Sequence, residues 1–281
     1  MIKKQHPVSF LQVATLAAFA LTARHSHLPF AVDVARSTSG THGVQEVFCI
    51  NLDQRPECWD FMREQFRELQ LAATRWAAVD GQELDLALLA EIGLVNPAAL
   101  KRYFLPDESK LVGIDLTAGS MGRALSHMQV WKHVIMKYGQ TEDDRAVLVV
   151  ENDCKFLANF RTRLDSALSQ VPADWQIVFL GGEDLMQQQG RLDVTEGIRR
   201  LYHGFRETTA YLVTVNGCKA CLEVTVPLSW QIDTHLTENE VQYDGAPAYT
   251  TKPLGYCCYP PLVRRQKRKV TTTDVKKQEH S

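Results

Sequence analysis

The chain has 281 residues, 45% of them hydrophobic, and a formal net charge of −2. That length suits one large α/β domain or two small ones, and so small a charge excludes the broad basic field that draws nucleic acid. Seven cysteines, an odd number, give no evident disulfide framework in a chain this long. At the N-terminus Lys3 and Lys4 precede about sixteen mostly apolar residues, 8–23, short of the ~20 that cross a bilayer comfortably. With the A-x-A triplet Ala18-Phe19-Ala20, this predicts a signal peptide or signal-anchor over residues 1–23. Residues 24–43 show no periodicity and read as a linker or stem, so the globular domain is expected over 44–263.

From Val44 the elements alternate. VQEVFCINL predicts a strand, PECWDFMREQFRELQ an amphipathic helix with Pro56 in its first turn, and AATRWAAVDG a second strand ending on Asp80-Gly81. A helix is expected over 83–92, then an irregular stretch with Pro97, Pro106 and Gly113. A long helix runs from Gly119 to Gly139, with Leu125, Met128, Trp131 or Lys132, and Ile135 spaced for one face. VLVV, residues 147–150, is a short β-branched run that predicts a strand buried on both faces, followed by a helix to about Gln170. WQIVFLGG and TTAYLVTVNG predict two more strands, and CKACLEVTV a helix. Pro227, Pro253, Pro260 and Pro261 limit regular structure thereafter. The basic run Arg264, Arg265, Lys267, Arg268 and Lys269 opens an expected solvated tail over 264–281. This order predicts an α/β fold with a mostly parallel central sheet and helices on both faces.

Several residues invite chemistry. Cys218 and Cys221 form a C-x-x-C, but no second one completes a zinc site, and the spacing equally fits one face of a helix entering the core. Adjacent Cys257 and Cys258 would point to opposite faces of a strand. Neither a G-x-G-x-x-G nor a P-loop is present. Asn51 and Arg55, after the first strand, offer donors to a nucleotide or phosphate, or simply close a turn. Glu151 and Asp153 end the VLVV strand where open α/β sheets bind ligands; they also suit the start of a solvated loop, with Asp153 as a helix cap.

Taken in order, INLDQRPECW, AAVDG, GSMGRALSHMQVWK, VLVVENDC, WQIVFLGG, TTAYLVTVNGCKA and YPPLVRRQ resemble the pattern of glycosyltransferase family 25, which includes lipopolysaccharide and procollagen galactosyltransferases. The resemblance runs from Val47 to about Asp274. It implies a GT-A-like fold and inverting transfer of a hexose, usually galactose, from a UDP-sugar. The acceptor would be a hydroxyl of a glycan, a lipid-linked saccharide or a protein. Glu151 and Asp153 would then hold Mn²⁺ or Mg²⁺ against the departing diphosphate, although Asn152 departs from the family's Glu-Asp-Asp. Asn51, Arg55, Asp80, Gly81, Gly119, Gly122, Ser126 and His127 would line the donor site. His127 alone also suits a satisfied core histidine, and Ser120 and Arg123 replace a family Glu and Cys. Asp233 is the first candidate for the base, with Glu183 and Asp184 as rivals, and His235 would reach the metal or the acceptor. The alternative is a nucleotide-sugar or glycan-binding module that has lost catalysis. The N-terminal segment points to the secretory lumen, endoplasmic reticulum or Golgi, or to membrane association at a cytoplasmic face, where bacterial relatives work.

Overall fold

Strand β1 (Val44–Asn51) opens the domain and helix α1 (Pro56–Glu68) follows. Pro56 stands in the first turn, where its missing N–H removes no helix hydrogen bond, and Met62 and Phe66, four residues apart, bury one face. In this computed structural model the described residues are 44–141, 144–184, 193–202, 204–237 and 249–266. The expected segments over 1–43 and 267–281 lie outside them. No helix among the described residues is long and apolar enough to cross a membrane.

Strand β2 (Ala73–Ala77) leads to a single 3₁₀ turn at Gly81–Glu83 and the short helix α2 (Leu86–Glu91), where one continuous helix was expected. Asp80 and Asp85 cap the two pieces separately, accepting from Gln82 N and Leu88 N. Helix α3 (Pro97–Tyr103) precedes the long helix α4 (Ala118–Tyr138), which starts in a reciprocal capping box of Thr117 and Ser120. After β3 (Ala146–Glu151) the chain forms β4 (Cys154–Phe156) before α5 (Phe160–Leu168), so Asp153 is not a helix cap. The remaining elements are β5 (Ile177–Phe179), β6 (Glu183–Asp184), β7 (Asp193–Thr195), β8 (Ile198–Arg200), β9 (Phe205–Arg206) and β10 (Ala210–Thr214). Helices α6 (Val215–Thr225) and α7 (Ile232–Leu236) and strands β11 (Gly255–Cys258) and β12 (Val263–Arg265) complete the described chain.

Eight strands form the main sheet in the order β2-β1-β3-β10-β5-β11-β8-β7. Six run the same way, and β8 and β10 are reversed. Because both reversed strands have two neighbours, they account for all four antiparallel pairings beside three parallel ones, and the sheet is mixed. Alternation along β3 then sorts the core. Val147 and Val149 meet Trp131, Cys218 and Leu222 from α4 and α6, while Leu148 and Val150 meet Met62, Phe66 and Phe160 from α1 and α5. Helices therefore cover both faces, as a strand run without polar alternation requires. Cys257 and Cys258 fall in the two opposite core layers. All seven cysteines are buried and none forms a disulfide, Cys218 and Cys221 among them.

Two small antiparallel ribbons flank the sheet, β12 with β4 and β6 with β9. The first brings Arg265, expected in a solvated tail, opposite Cys154 and next to the acidic turn after β3.

Candidate functional site

The C-terminal ends of β1, β2 and β3 lie side by side through parallel pairing. Where β2 ends, the backbone of residues 79–81 lies against the first turns of α4. A Cβ on Gly122 would stand 2.6 Å from Gly81 N and from Val79 O, and one on Gly81 would stand 1.7 Å from Ala118 O. Ser126 holds the crossing: its Oγ accepts from Val79 N at 2.8 Å and donates to Gly122 O at 2.7 Å. The close approach at Gly81 and Gly122 is thus made by the chain's own backbone, whereas a Cβ on Gly119 would meet nothing within 4 Å. Asp80 caps the 3₁₀ turn and accepts from Gln54 Nε2 at 3.0 Å. Asn51 is fully buried. Its Nδ2 donates to Leu52 O and Arg55 O, and its Oδ1 accepts from Asn152 Nδ2 at 2.8 Å. Arg55 is half-buried at the N-cap of α1.

Glu151 is backed by a relay of side chains. Its Oε1 accepts from Thr208 Oγ1 at 2.5 Å and faces His127 Nε2 at 3.3 Å, while its Oε2 lies 3.7 Å from Arg123 Nε. His127 has 0% exposure, and its Nδ1 is 2.8 Å from the Tyr211 hydroxyl. That hydroxyl oxygen accepts from Trp131 Nε1 at 2.9 Å; because a carboxylate only accepts, Nε2–H is assigned as the donor to Glu151, with Nδ1 accepting from the hydroxyl. The His-x-x-x-Trp spacing has its cause here: residues four apart on one face of α4 share one tyrosine. Burial raises the Glu151 pKa, but Arg123 and the hydrogen bonds from His127 and Thr208 outweigh it and hold the carboxyl well below the usual range.

Asp153 sits differently. Its Oδ2 accepts from Arg265 Nε at 2.8 Å, and its Oδ1 is buried with no hydrogen-bond partner. Arg265 also lies 3.6 Å from Glu207 Oε1. Glu207 has φ +77°, a strained value for a glutamate. Burial first, then the charges of Glu151, Glu183 and Asp153, raise its pKa against the pull of Arg265. Asp233 holds this bend, its Oδ2 accepting from Glu207 N and its Oδ1 from Thr234 N, each at 3.0 Å. Glu183 is exposed on β6, and Asp184 follows it in the same strand. His235 is buried in α7, with Nε2 accepting from the backbone N–H of both Ser229 and Trp230. Burial lowers its pKa to about 4.

The structure thus gathers Glu151, Asp153 and His127, with Asn51 behind Asn152, at one edge. Gly81, Gly122 and Ser126 join β2 to α4, and His235 serves its own loop. Sequence reasoning missed Thr208, Glu207, Tyr211 and Arg265. For Arg265 the available signal was the apolar pair Leu262-Val263 after two prolines, which marks an edge strand. Among the described residues no three His, Cys, Asp or Glu side chains are grouped to hold a metal ion. A divalent ion taking one or two carboxylates, with phosphate and water oxygens for the rest, still fits the orphaned Asp153 Oδ1.

Comparison with known proteins places the chain in the glycosyltransferase class and gives its family. The model described as "Glycosyltransferase family 25 (LPS biosynthesis protein)" matches residues 44–236. The chain belongs to glycosyltransferase family 25. It is 31% identical over 184 residues to procollagen galactosyltransferase 1-A of Xenopus laevis, covering 63% of this chain and 28% of that protein. It is 29% identical over 185 residues to a bovine protein named probable inactive glycosyltransferase 25 family member 3, covering 64% and 29%. The chain thus matches less than a third of the length of these relatives. Mouse xyloside xylosyltransferase 1, apo form, shares a TM-score of 0.30 at 13% identity, over 75% of this chain and 67% of that one, too slight a likeness to carry weight.

Proposed function

We propose that this chain moves a hexose, with galactose the first candidate, from a UDP-sugar to a hydroxyl of a glycan, lipid-linked saccharide or protein, with inversion at the anomeric carbon. The observation that carries the reading is the carboxylate pair Glu151 and Asp153 at the end of a central strand, each beside a guanidinium, in a chain of this family. Asp153 would hold Mn²⁺ or Mg²⁺ through Oδ1, with Glu151 Oε2 as second ligand. When bound, the ion supplies positive charge to the departing diphosphate. His127 and Thr208 fix the Glu151 carboxylate from behind. Asp233 remains the first candidate for the base, since each of its oxygens keeps a second lone pair beyond the backbone N–H it accepts. A placed base contributes roughly 10²–10⁴-fold in rate. Glu183 is the rival. The apolar segment before residue 24 supports a secretory-lumen address, with a cytoplasmic membrane face as the second.

A second reading, donor binding without transfer, is favoured by Asn152, whose amide is turned to Asn51 and adds no charge at the turn; the word "inactive" in a relative's name is said of that relative. Incubation with UDP-galactose, UDP-glucose and UDP-N-acetylglucosamine plus Mn²⁺, followed by assay of released UDP, separates the two. Turnover of one donor supports transfer. Thermal stabilisation by UDP with no turnover supports the binding module, and neither effect removes both.

A further inference from the structure

We propose that Arg265 is a resident cation of the diphosphate subsite, so that a nucleoside diphosphate binds this edge with no divalent ion present. The inference rests on reading the edge as a UDP-sugar site and names the residue that carries charge there.

The position of Arg265 is set by backbone, not by a loose side chain. Strand β12 pairs antiparallel with β4, placing Arg265 opposite Cys154, and Gln266 N donates to Asp153 O at 2.7 Å. The turn that carries Asp153 and the strand that carries Arg265 are therefore tied together by main-chain hydrogen bonds. From that position Arg265 Nε reaches Asp153 Oδ2 at 2.8 Å. A guanidinium has five N–H donors in a planar fork, a shape suited to phosphate. One of these donors is committed to Asp153 and another faces Glu207 at 3.6 Å, on a side chain 46% exposed. Donors therefore remain for a ligand that reaches the edge.

The acid groups themselves make a poor cage for an ion. Glu151 Oε1 already takes two donors, and Asn152 is an uncharged amide whose Nδ2 donates to Asn51. Asp153 Oδ1, buried without a hydrogen-bond partner, is on the same carboxylate that binds Arg265. An ion at Oδ1 and Arg265 at Oδ2 would then be neighbours on one carboxylate, with Arg265 held there by strand pairing and not by an ion. Arg123, beside Glu151 on the other flank, is a second guanidinium at this edge. Fixed guanidinium groups can stabilise phosphate charge as metal ions do.

Calorimetric titration of UDP into the full chain tests this, in EDTA and in excess Mn²⁺, for wild type, Arg265→Gln and Arg265→Lys. Wild type is expected to bind UDP in EDTA. Arg265→Gln is expected to weaken that binding about tenfold or more, the loss of a charge-assisted hydrogen bond. Added Mn²⁺ should restore much of it through the freed Asp153, and Arg265→Lys should fall between. Arg265 is half exposed on an edge strand, so melting temperatures should stay close, and the lysine variant keeps the strand intact if the glutamine variant folds poorly. UDP binding by wild type that needs Mn²⁺, with Arg265→Gln indistinguishable from it, overturns the proposal and leaves the donor reading standing. Absence of UDP binding in both conditions overturns the donor reading and this proposal with it.

Discussion

The middle of α4 and the short helix α7 each bury a histidine, and the two histidines are held by different kinds of partner. His127 lies between side chains, with the Tyr211 hydroxyl on one ring nitrogen and the Glu151 carboxylate on the other. His235 accepts from two backbone N–H groups of the loop that precedes α7. Residue type made both candidates for the site. A side chain held by other side chains can pass orientation on to the carboxylate it faces, whereas His235 is tied to backbone groups alone, those of Ser229, Trp230 and Val224. Glu151 and Asp233 differ in the same way in what holds them: side chains hold Glu151, and Asp233 accepts from the backbone of Glu207 and Thr234 while each of its oxygens keeps a second lone pair.

The acidic edge itself gives the largest expected effect. If the chain turns over a UDP-sugar, Asp153→Ala should lower turnover at least about 100-fold, comparable to losing one preorganised charge-stabilising group. Its melting temperature should shift little, because the change removes no core contact. Retention of full metal-dependent turnover would return the acidic pair to the role of a loop start.

Next in size is a pH effect confined to the α7 side. His235 is pushed down to about 4 in the folded chain and titrates near 6.5 when unfolded. Between those values the unfolded chain binds a proton that the folded chain does not. Its stabilising contribution is therefore complete above pH 6.5 and is lost as pH falls toward 4, by about 3 kcal/mol over the interval. Urea unfolding at neutral pH and near pH 4 measures it. His235→Gln keeps an acceptor for Ser229 and Trp230 and should remove this component of the slope. An unchanged slope would show that other groups dominate acid unfolding.

On the α4 side, Tyr211→Phe removes the hydroxyl between Trp131 and His127. It leaves the Trp131 Nε1–H without this acceptor and His127 Nδ1 without this donor in a fully buried place. A loss of about 1–3 kcal/mol is expected, the usual penalty for a buried polar group left unpaired. Turnover should fall as well, because His127 is then free to turn away from Glu151. Stability loss with turnover untouched would make the relay purely structural.

Much of this was legible in the chain. The spacing of Leu125, Met128 and Trp131 gave α4 its buried face, and the unbroken apolar run 147–150 gave a strand covered on both sides. The acidic pair was legible too, because carboxylates ending a buried strand break its pattern. The partners were not. Tyr211 lies 84 residues from His127 and Arg265 lies 112 from Asp153, and pairings that distant arise only once strand order is known. Arg265 was further hidden by its neighbours, since a run of basic residues reads as a solvated tail. The glycines misled in another way: Gly81 and Gly122 signal close approach correctly, but nothing local says that the approaching group is the chain's own backbone.

The smallest expected effect is also the most discriminating, because Asn152→Asp acts on the edge and on its support at once. An added carboxylate between Glu151 and Asp153 raises the negative charge of the turn, and charge count tunes cation affinity at oxygen sites, so Mn²⁺ binding should tighten by a few-fold. The amide it replaces, however, donates to Asn51 Oδ1 at 2.8 Å. An aspartate would set acceptor against acceptor. Turning the Asn51 amide would cure that clash but would point its oxygen at the carbonyls of Leu52 and Arg55, which its Nδ2 now serves. Either arrangement leaves one buried group unmatched, at about 1 kcal/mol, the lower end of the usual penalty at a part-buried position. Tighter Mn²⁺ binding with slightly lower stability is therefore expected, measured by calorimetry and urea unfolding on the same preparation. Unchanged affinity together with unchanged stability would show that residue 152 neither faces a cation nor holds Asn51. The end of β1 would then be uncoupled from the acidic turn.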